Sequence, residues 1–64
     1  MRKNAQGLTP LQVAFCREYV KDMDAVQAAI RAGYRETTAR MEAVNWLRKR
    51  HIAREVFRLL SGEE

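Results

Sequence analysis

The stretch of sequence that decides the fold runs from Asp24 to Met41 and reads DAVQAAIRAGYRETTARM. It predicts a helix, a tight turn and a second helix. Asp24 is a good N-cap, and Gln27, three residues later, has the spacing that completes a capping box. Residues 25–32 are mostly strong helix formers, and Gly33 then offers the positive φ that a helix C-terminus commonly needs.

The second helix of this stretch is predicted to begin near Arg35 or Glu36, after Tyr34 as an apolar anchor. The carboxylate of Glu36 would lie in the first turn, where it favours the helix dipole. Two helices that cross steeply through a short turn need small side chains where their backbones meet. The small residues in question are Ala29, Gly33 and Ala39. Their spacing is typical of a helix-turn-helix, whose second helix enters the DNA major groove, although a plain helical hairpin remains the alternative.

Upstream of this stretch, the sequence predicts a first helix that ends near residues 20–22. Thr9 is a suitable N-cap, Pro10 is favoured at the first helical position, and Gln12 completes a second capping box. Leu8, before the cap, has the spacing to pack against Val13 as a hydrophobic staple.

Helical periodicity predicts which side chains are buried. On the first helix the apolar stripe is Leu11, Phe15 and Tyr19, with Ala14 and Cys16 beside it. On the second helix it is Val26, Ala29 and Ile30, with Gln27 and Arg31 facing outward. On the third it is Ala39, Ala43, Trp46 and Leu47, which leaves Thr37, Thr38, Arg40, Met41, Val44 and Asn45 exposed. Trp46 is therefore interpreted as a core residue rather than a base-stacking platform.

The third helix is predicted to run to Leu47 or Arg48, followed by a break or bend at residues 49–51. A fourth amphipathic helix would bury Ile52, Val56, Phe57 and Leu60. An uninterrupted helix over residues 36–60 is the alternative. The sequence thus predicts one all-α domain, a small three- to four-helix bundle over residues 8–60, between a flexible basic arm at 1–7 and a polar tail at 61–64.

The charge of the chain is moderately basic, with twelve Lys and Arg against eight Asp and Glu and a net charge of +4. Five cations lie close together after the third helix, with Glu55 as the one acid among them. They are Arg48, Lys49, Arg50, Arg54 and Arg58. Such a cluster is typical of a surface that faces phosphates, although a solvated helix face would look the same.

Catalysis and metal binding find little support in the sequence. His51 is the only histidine and Cys16 the only cysteine, so neither a disulfide nor a zinc site of several His and Cys ligands can form within one chain. The three glycines are scattered and make no phosphate loop. We therefore expect a non-catalytic protein without cofactor or metal. No apolar run is long enough for a membrane span and no signal peptide is visible, so we expect a soluble intracellular protein.

The chain resembles the N-terminal domain of phage terminase small subunits over residues 8–60. The resemblance is carried by LTPLQ at residues 8–12, FCREY at 15–19, DAVQAAIRAGY at 24–34 and TAR at 38–40. Two positions depart from the family pattern. Arg35 stands where a small capping residue such as Ser is frequent, and Lys49-Arg50 stands where a breaker such as Asn-Pro is frequent.

The resemblance implies a DNA-binding domain that recognises the packaging site of a viral genome in the host cytoplasm. Small subunits form rings through a separate central region and recruit the large subunit, which carries the ATPase and nuclease. Those regions are not recognisable in these 64 residues, so the chain is expected to be a truncated version, a split product or a stand-alone relative. Alone it should be monomeric and bind double-stranded DNA weakly, with ring assembly supplying affinity.

The predicted DNA contacts divide into two groups. Thr37, Thr38, Arg40 and Met41 would face the major groove, and Arg35, Lys49, Arg50 and also Arg31 would contact phosphates. Two alternatives remain open at this point. One is a small helix-turn-helix transcriptional regulator that binds an operator as a dimer. The other is a protein-interaction module in which the exposed strip from Met41 to Val44 docks a partner helix.

Overall fold

The computed structural model describes residues 7–62, and among these it contains four helices and no strand. They are α1 (Pro10–Asp22), α2 (Ala25–Ala32), α3 (Glu36–Trp46) and α4 (Arg50–Leu60). The predicted all-α class is confirmed. The basic arm, except for Gly7, and the last two residues of the polar tail lie outside the described residues.

Helix α1 begins as the sequence predicts. Thr9 N–H donates to Gln12 Oε1 at 2.9 Å, and Gln12 N–H donates to Thr9 Oγ1 at 3.2 Å, so the capping box is complete. Leu8 is fully buried before it, and Val13 packs against the same core. The helix ends at Met23, which takes a left-handed conformation with φ 60° and donates its N–H to the Tyr19 carbonyl.

Helix α2 also begins and ends where predicted, but only half of its capping box forms. Gln27 N–H donates to Asp24 Oδ1 at 3.1 Å. The reciprocal bond to the Gln27 side chain was predicted wrongly, because Asp24 N–H donates to Asp22 Oδ1 at 3.1 Å instead. Gly33 ends the helix with φ 118°, a conformation that favours glycine.

The connection between α3 and α4 is a turn at residues 47–49. Arg48 N–H donates to the Asn45 carbonyl at 3.1 Å, and Lys49 N–H donates to the Trp46 carbonyl at 3.0 Å. The predicted break is therefore real, but it lies two residues earlier than expected, and Arg50 already belongs to α4. The alternative of one uninterrupted helix over residues 36–60 is wrong.

The core lies where α1 packs against both α2 and α4 and where α2 packs against α3. Its buried members are Leu8, Phe15, Cys16, Ala28, Ala29, Ala39, Ala43, Ile52 and Val56. The four buried alanines lie on α2 and α3, which lets those two backbones approach closely. Trp46 stands edge-on to Phe15 with ring centroids 5.3 Å apart, so its interpretation as a core residue is confirmed.

Three side chains predicted to be buried are instead exposed. Leu11 is 45% exposed, Phe57 70% and Leu60 51%. Leu11 lies at the surface over the turn at Gly33. On α4 the inward face is formed by Ile52, Glu55, Val56 and Leu59, so the helix is rotated away from the predicted stripe.

Candidate nucleic-acid interface

Helix α3 presents one face to solvent. Thr37, Arg40 and Met41 are exposed there, Thr38 is half-buried, and Val44 and Asn45 continue the same surface towards the C-terminus. Met41 is 73% exposed, which is high for an apolar side chain. The exposed face thus agrees with the periodicity, because Ala39 and Ala43 on the opposite side are fully buried against α2.

The helix N-termini differ sharply in how they are capped. Side chains cap α1 and α2, through Thr9 and Asp24. Helices α3 and α4 follow Arg35 and Lys49, neither of which makes a side-chain hydrogen bond to the first turn. The predicted loss of the cap at Arg35 is therefore confirmed. Backbone N–H groups at these two N-termini remain available to an anion.

Exposed cations surround both uncapped N-termini. Arg35 precedes α3, Arg48 and Lys49 lie between the end of α3 and the start of α4, and Arg50 is the first residue of α4. Positive charge at a helix N-terminus opposes the helix dipole, so helix stability does not account for this placement. Arg58 does not belong with them, since it is turned inward and pairs with Glu55 at 2.6 Å. Its inclusion in the predicted phosphate-facing cluster is wrong.

Arg40 is held by a carboxylate from its own helix. Its Nε and Nη2 donate to Glu36 Oε2 at 3.0 Å and 2.6 Å. Both side chains are largely exposed. The sequence predicts the exposure of Arg40 correctly. Its pairing with Glu36 is missed, although Glu and Arg four residues apart on a helix are a recognised pairing signal.

Arg31 makes contacts that join α2 to α1. Its Nε donates to Glu18 Oε1 at 2.8 Å, and its Nη2 donates to Asp22 Oδ1 at 3.3 Å and to the Glu18 carbonyl at 3.0 Å. The hydrogen bonds from Arg31 and Lys21 lower the pKa of Glu18, and those from Asp24 N–H and Arg31 lower the pKa of Asp22. The hydrogen bonds to Glu18 and Asp22 raise the pKa of Arg31, so its guanidinium is positively charged and paired with carboxylates of α1.

A comparison with known families now bears on this surface. The family model described as terminase small subunit matches residues 8–62, which include all four helices. The chain belongs to the terminase small subunit family. No curated protein and no solved structure matches it significantly. Membership supports a role in phage genome packaging, in which small subunits are generally the non-catalytic component and act with DNA and a large subunit.

Three further structural features of this terminase small subunit chain concern metal-binding groups, its cysteine and the length of its helices. Within residues 7–62, no group of three or more His, Cys, Asp or Glu is placed to hold a metal ion. Burial, followed by the charge of Glu55, raises the pKa of the Cys16 thiol to about 11, so the thiolate nucleophile is suppressed. None of the described helices is long and apolar enough to cross a membrane.

Proposed function

We propose that this chain recognises the packaging site in double-stranded viral DNA, with α3 as the recognition helix. The observation that supports this most strongly is the pair of uncapped helix N-termini flanked by cations, one at each end of α3. Arg35 would bind phosphate at one end, and Lys49 and Arg50 at the other. Phosphate oxygens would complete the hydrogen bonding that a cap provides elsewhere in the fold.

The length of α3 fits this arrangement. Its 11 residues span about 16 Å at 1.5 Å per residue. The major groove of B-DNA is about 12 Å wide. Cations at both ends of the helix would therefore lie near the phosphates that border the groove, while the exposed face between them meets the bases.

The side chains on the exposed face have chemistry that suits base edges. Arg40 donates to guanine O6 and N7, the threonine hydroxyls of Thr37 and Thr38 donate or accept, and Met41 offers apolar contact to a thymine methyl group. Arg31 enters the proposal in a different way. A phosphate contact from Arg31 would compete with Glu18 and Asp22, so its main contribution would be to fix α2, which supports α3.

The proposal extends to organisation and partners. Residues 8–60 would form the DNA-binding domain, with residues 1–7 as a basic arm and 61–64 as a polar tail. Several copies, held in a ring by other parts of a small subunit, would bind the DNA together and present it to the large subunit in the host cytoplasm. The chain would contribute no catalysis of its own.

A salt titration with charge-matched variants tests the proposal. Binding to labelled duplex DNA should weaken steeply with salt, with a log-log slope of about −0.9 for each phosphate neutralised. Lys49→Ala should lower both the affinity and the slope. Lys21→Ala removes the same charge from α1, where Lys21 pairs with Glu18, and should change neither beyond the error of the fit. If Lys49→Ala and Lys21→Ala lose the same DNA affinity, that result would contradict the proposed surface.

A second candidate function has one observation in its favour. Met41 and Val44 are 73% and 56% exposed on the same helix, which would suit a partner helix as well as a DNA groove. The double variant Arg40→Glu with Lys49→Glu separates the two. It should abolish DNA binding and leave the domain folded, whereas a protein-interaction module would show no DNA binding even as the wild type and would lose its partner in the variant.

A further inference from the structure

The geometry around Arg40 points to a role for Glu36 in sequence recognition. We infer that Glu36 is a positioning residue, which holds the guanidinium of Arg40 for a bidentate contact with guanine and so gives the site a preference for a G·C pair. This inference rests on the proposed function, since it deepens the role of the same surface.

The bonding pattern of the pair supports this role. Both hydrogen bonds to Glu36 come from the Nε and Nη2 edge of the guanidinium, and both end on Oε2. An arginine has five N–H donors in a rigid planar fork. Bonding along the Nε edge leaves donors on Nη1 and Nη2 at the distal edge, and this is the edge that can meet guanine O6 and N7 together.

Stability does not account for the pair. Glu36 and Arg40 are both largely exposed, and exposed ion pairs at this helical spacing contribute little to folding. A flexible arginine, however, loses rotamer freedom when it binds a base, and a partner that already restrains it lowers that cost. Glu36 also places negative charge beside the DNA, which penalises contacts that do not satisfy Arg40.

Glu42 provides a matched control. It carries the same charge on the same helix and is exposed. It lies six positions after Glu36, which corresponds to about 120° around an α-helix. Removing either carboxylate changes the net charge equally, but only Glu36 contacts Arg40.

The experiment measures guanine preference, with overall affinity as a second readout. A randomised duplex library, enriched for binding to the wild-type chain at low salt, gives a preferred site. Each guanine in that site is then replaced by 7-deazaguanine, which lacks the N7 acceptor. We expect one position where this costs the wild type about threefold to tenfold in affinity and costs Arg40→Ala nothing.

The variants at Glu36 then decide the inference. In Glu36→Ala the 7-deazaguanine penalty should fall below about twofold, while affinity for random duplex stays the same or rises. Glu36→Gln, which keeps an oxygen within reach of Arg40, should retain more of the penalty than Glu36→Ala. Glu42→Ala should keep all of it. Thermal midpoints check that every variant is folded.

Other results would overturn the inference. If Glu36→Ala and Glu42→Ala lose the penalty to the same extent, Glu36 acts through its charge alone, and if Glu36→Ala keeps the whole penalty, Glu36 does not position Arg40. If Gln and Ala at position 36 behave alike, contact with Arg40 is not what matters. A wild type that binds duplexes with salt dependence but no guanine preference refutes this inference and leaves the proposed function standing. A wild type that binds no duplex at all refutes both.

Discussion

Glu55 is the charged residue that the described core buries, with 2% of its surface exposed. Arg58 Nε and Nη2 donate to its two oxygens at 2.9 Å and 2.6 Å. The bonds from Arg58 lower the pKa of Glu55 below its usual value of 4.5, against the opposing effect of burial, and the charge of Arg17 adds to the lowering. A buried carboxylate of this kind depends on its partner, because an unpaired one has lost its hydration without compensation.

Arg58→Ala should therefore destabilise the fold by about 3 kcal/mol at neutral pH, the lower end of the range for breaking a buried pair. Because the pKa of Glu55 is lowered in the folded state, the pair stabilises the protein above the unfolded pKa, and this contribution is lost as the pH falls. The deficit of the variant should accordingly shrink in acid. Chemical denaturation at neutral and acidic pH measures it.

The control for this prediction is Lys21→Ala, which breaks an exposed pair with Glu18. Exposed pairs contribute about 0 to 1 kcal/mol. Equal losses in the two variants, or a deficit in Arg58→Ala that does not change with pH, would contradict the structural role assigned to Glu55.

Cys16 should be chemically inert in the folded protein. It is fully buried, its Sγ lies 3.9 Å from the Ile52 carbonyl, and its pKa is raised to about 11. Labelling by a thiol reagent at pH 8 should be at least about 100-fold slower than in denaturant, since it requires opening of the fold. The raised pKa also predicts that stability falls above pH 9, as the unfolded thiol ionises first. Labelling of the native protein as fast as in denaturant would contradict the burial of Cys16.

At the scale of the helices, local chemistry predicts where a helix begins and ends, but it does not predict which side of the helix is buried. The capping box at Thr9 and Gln12 and the turn at Gly33 depend on neighbours a few residues away, so the sequence contains their determinants. Phe57 was predicted to be buried because periodicity defines a stripe without saying which edge of it meets α1. In the structure, the side of α4 that carries Glu55 meets α1. The sequence does not reveal this, because a Glu and an Arg three residues apart are equally common as an exposed surface pair.

The candidate site was predictable to a similar degree. The exposure of Thr37, Arg40 and Met41 follows from the periodicity of α3. The ion pair of Arg31 with Glu18 does not, because the two residues are 13 positions apart and meet only when α1 and α2 pack. Local spacing alone would have revealed the partner of Arg40, whereas the partner of Arg31 required the tertiary structure.

The turn between α2 and α3 should be sensitive to any side chain at Gly33. Its φ of 118° is one that residues with a Cβ rarely adopt, and an added Cβ would lie 3.3 Å from Leu11 Cδ2. Gly33→Ala should cost about 2 kcal/mol or more. Gly7→Ala is the control, since Gly7 also has positive φ but nothing within 4 Å of an added Cβ. Denaturation curves that show no larger loss for Gly33→Ala would contradict the turn geometry.

At the scale of the whole molecule, size limits what one copy can bind. The described chain measures 30 × 27 × 18 Å, and the proposed function gives it one recognition helix, α3. One helix with a few cations makes few phosphate contacts, so the proposed function predicts weak binding by one copy. Linking copies converts the second binding event into an intramolecular one and raises the affinity without any new contact.

A tandem of two copies joined by a flexible linker should therefore bind a long duplex far more tightly than one copy does. A Gly/Ser linker of about 30 residues has a root-mean-square span of roughly 30 Å, comparable to the molecule and to one turn of DNA at about 34 Å. The expected gain is about 10²-fold or more. On a duplex long enough for only one copy the gain should disappear, and Arg40→Glu with Lys49→Glu in one copy should remove it on the long duplex. A tandem that binds both duplexes equally would show that the copies do not engage DNA through α3 at the same time.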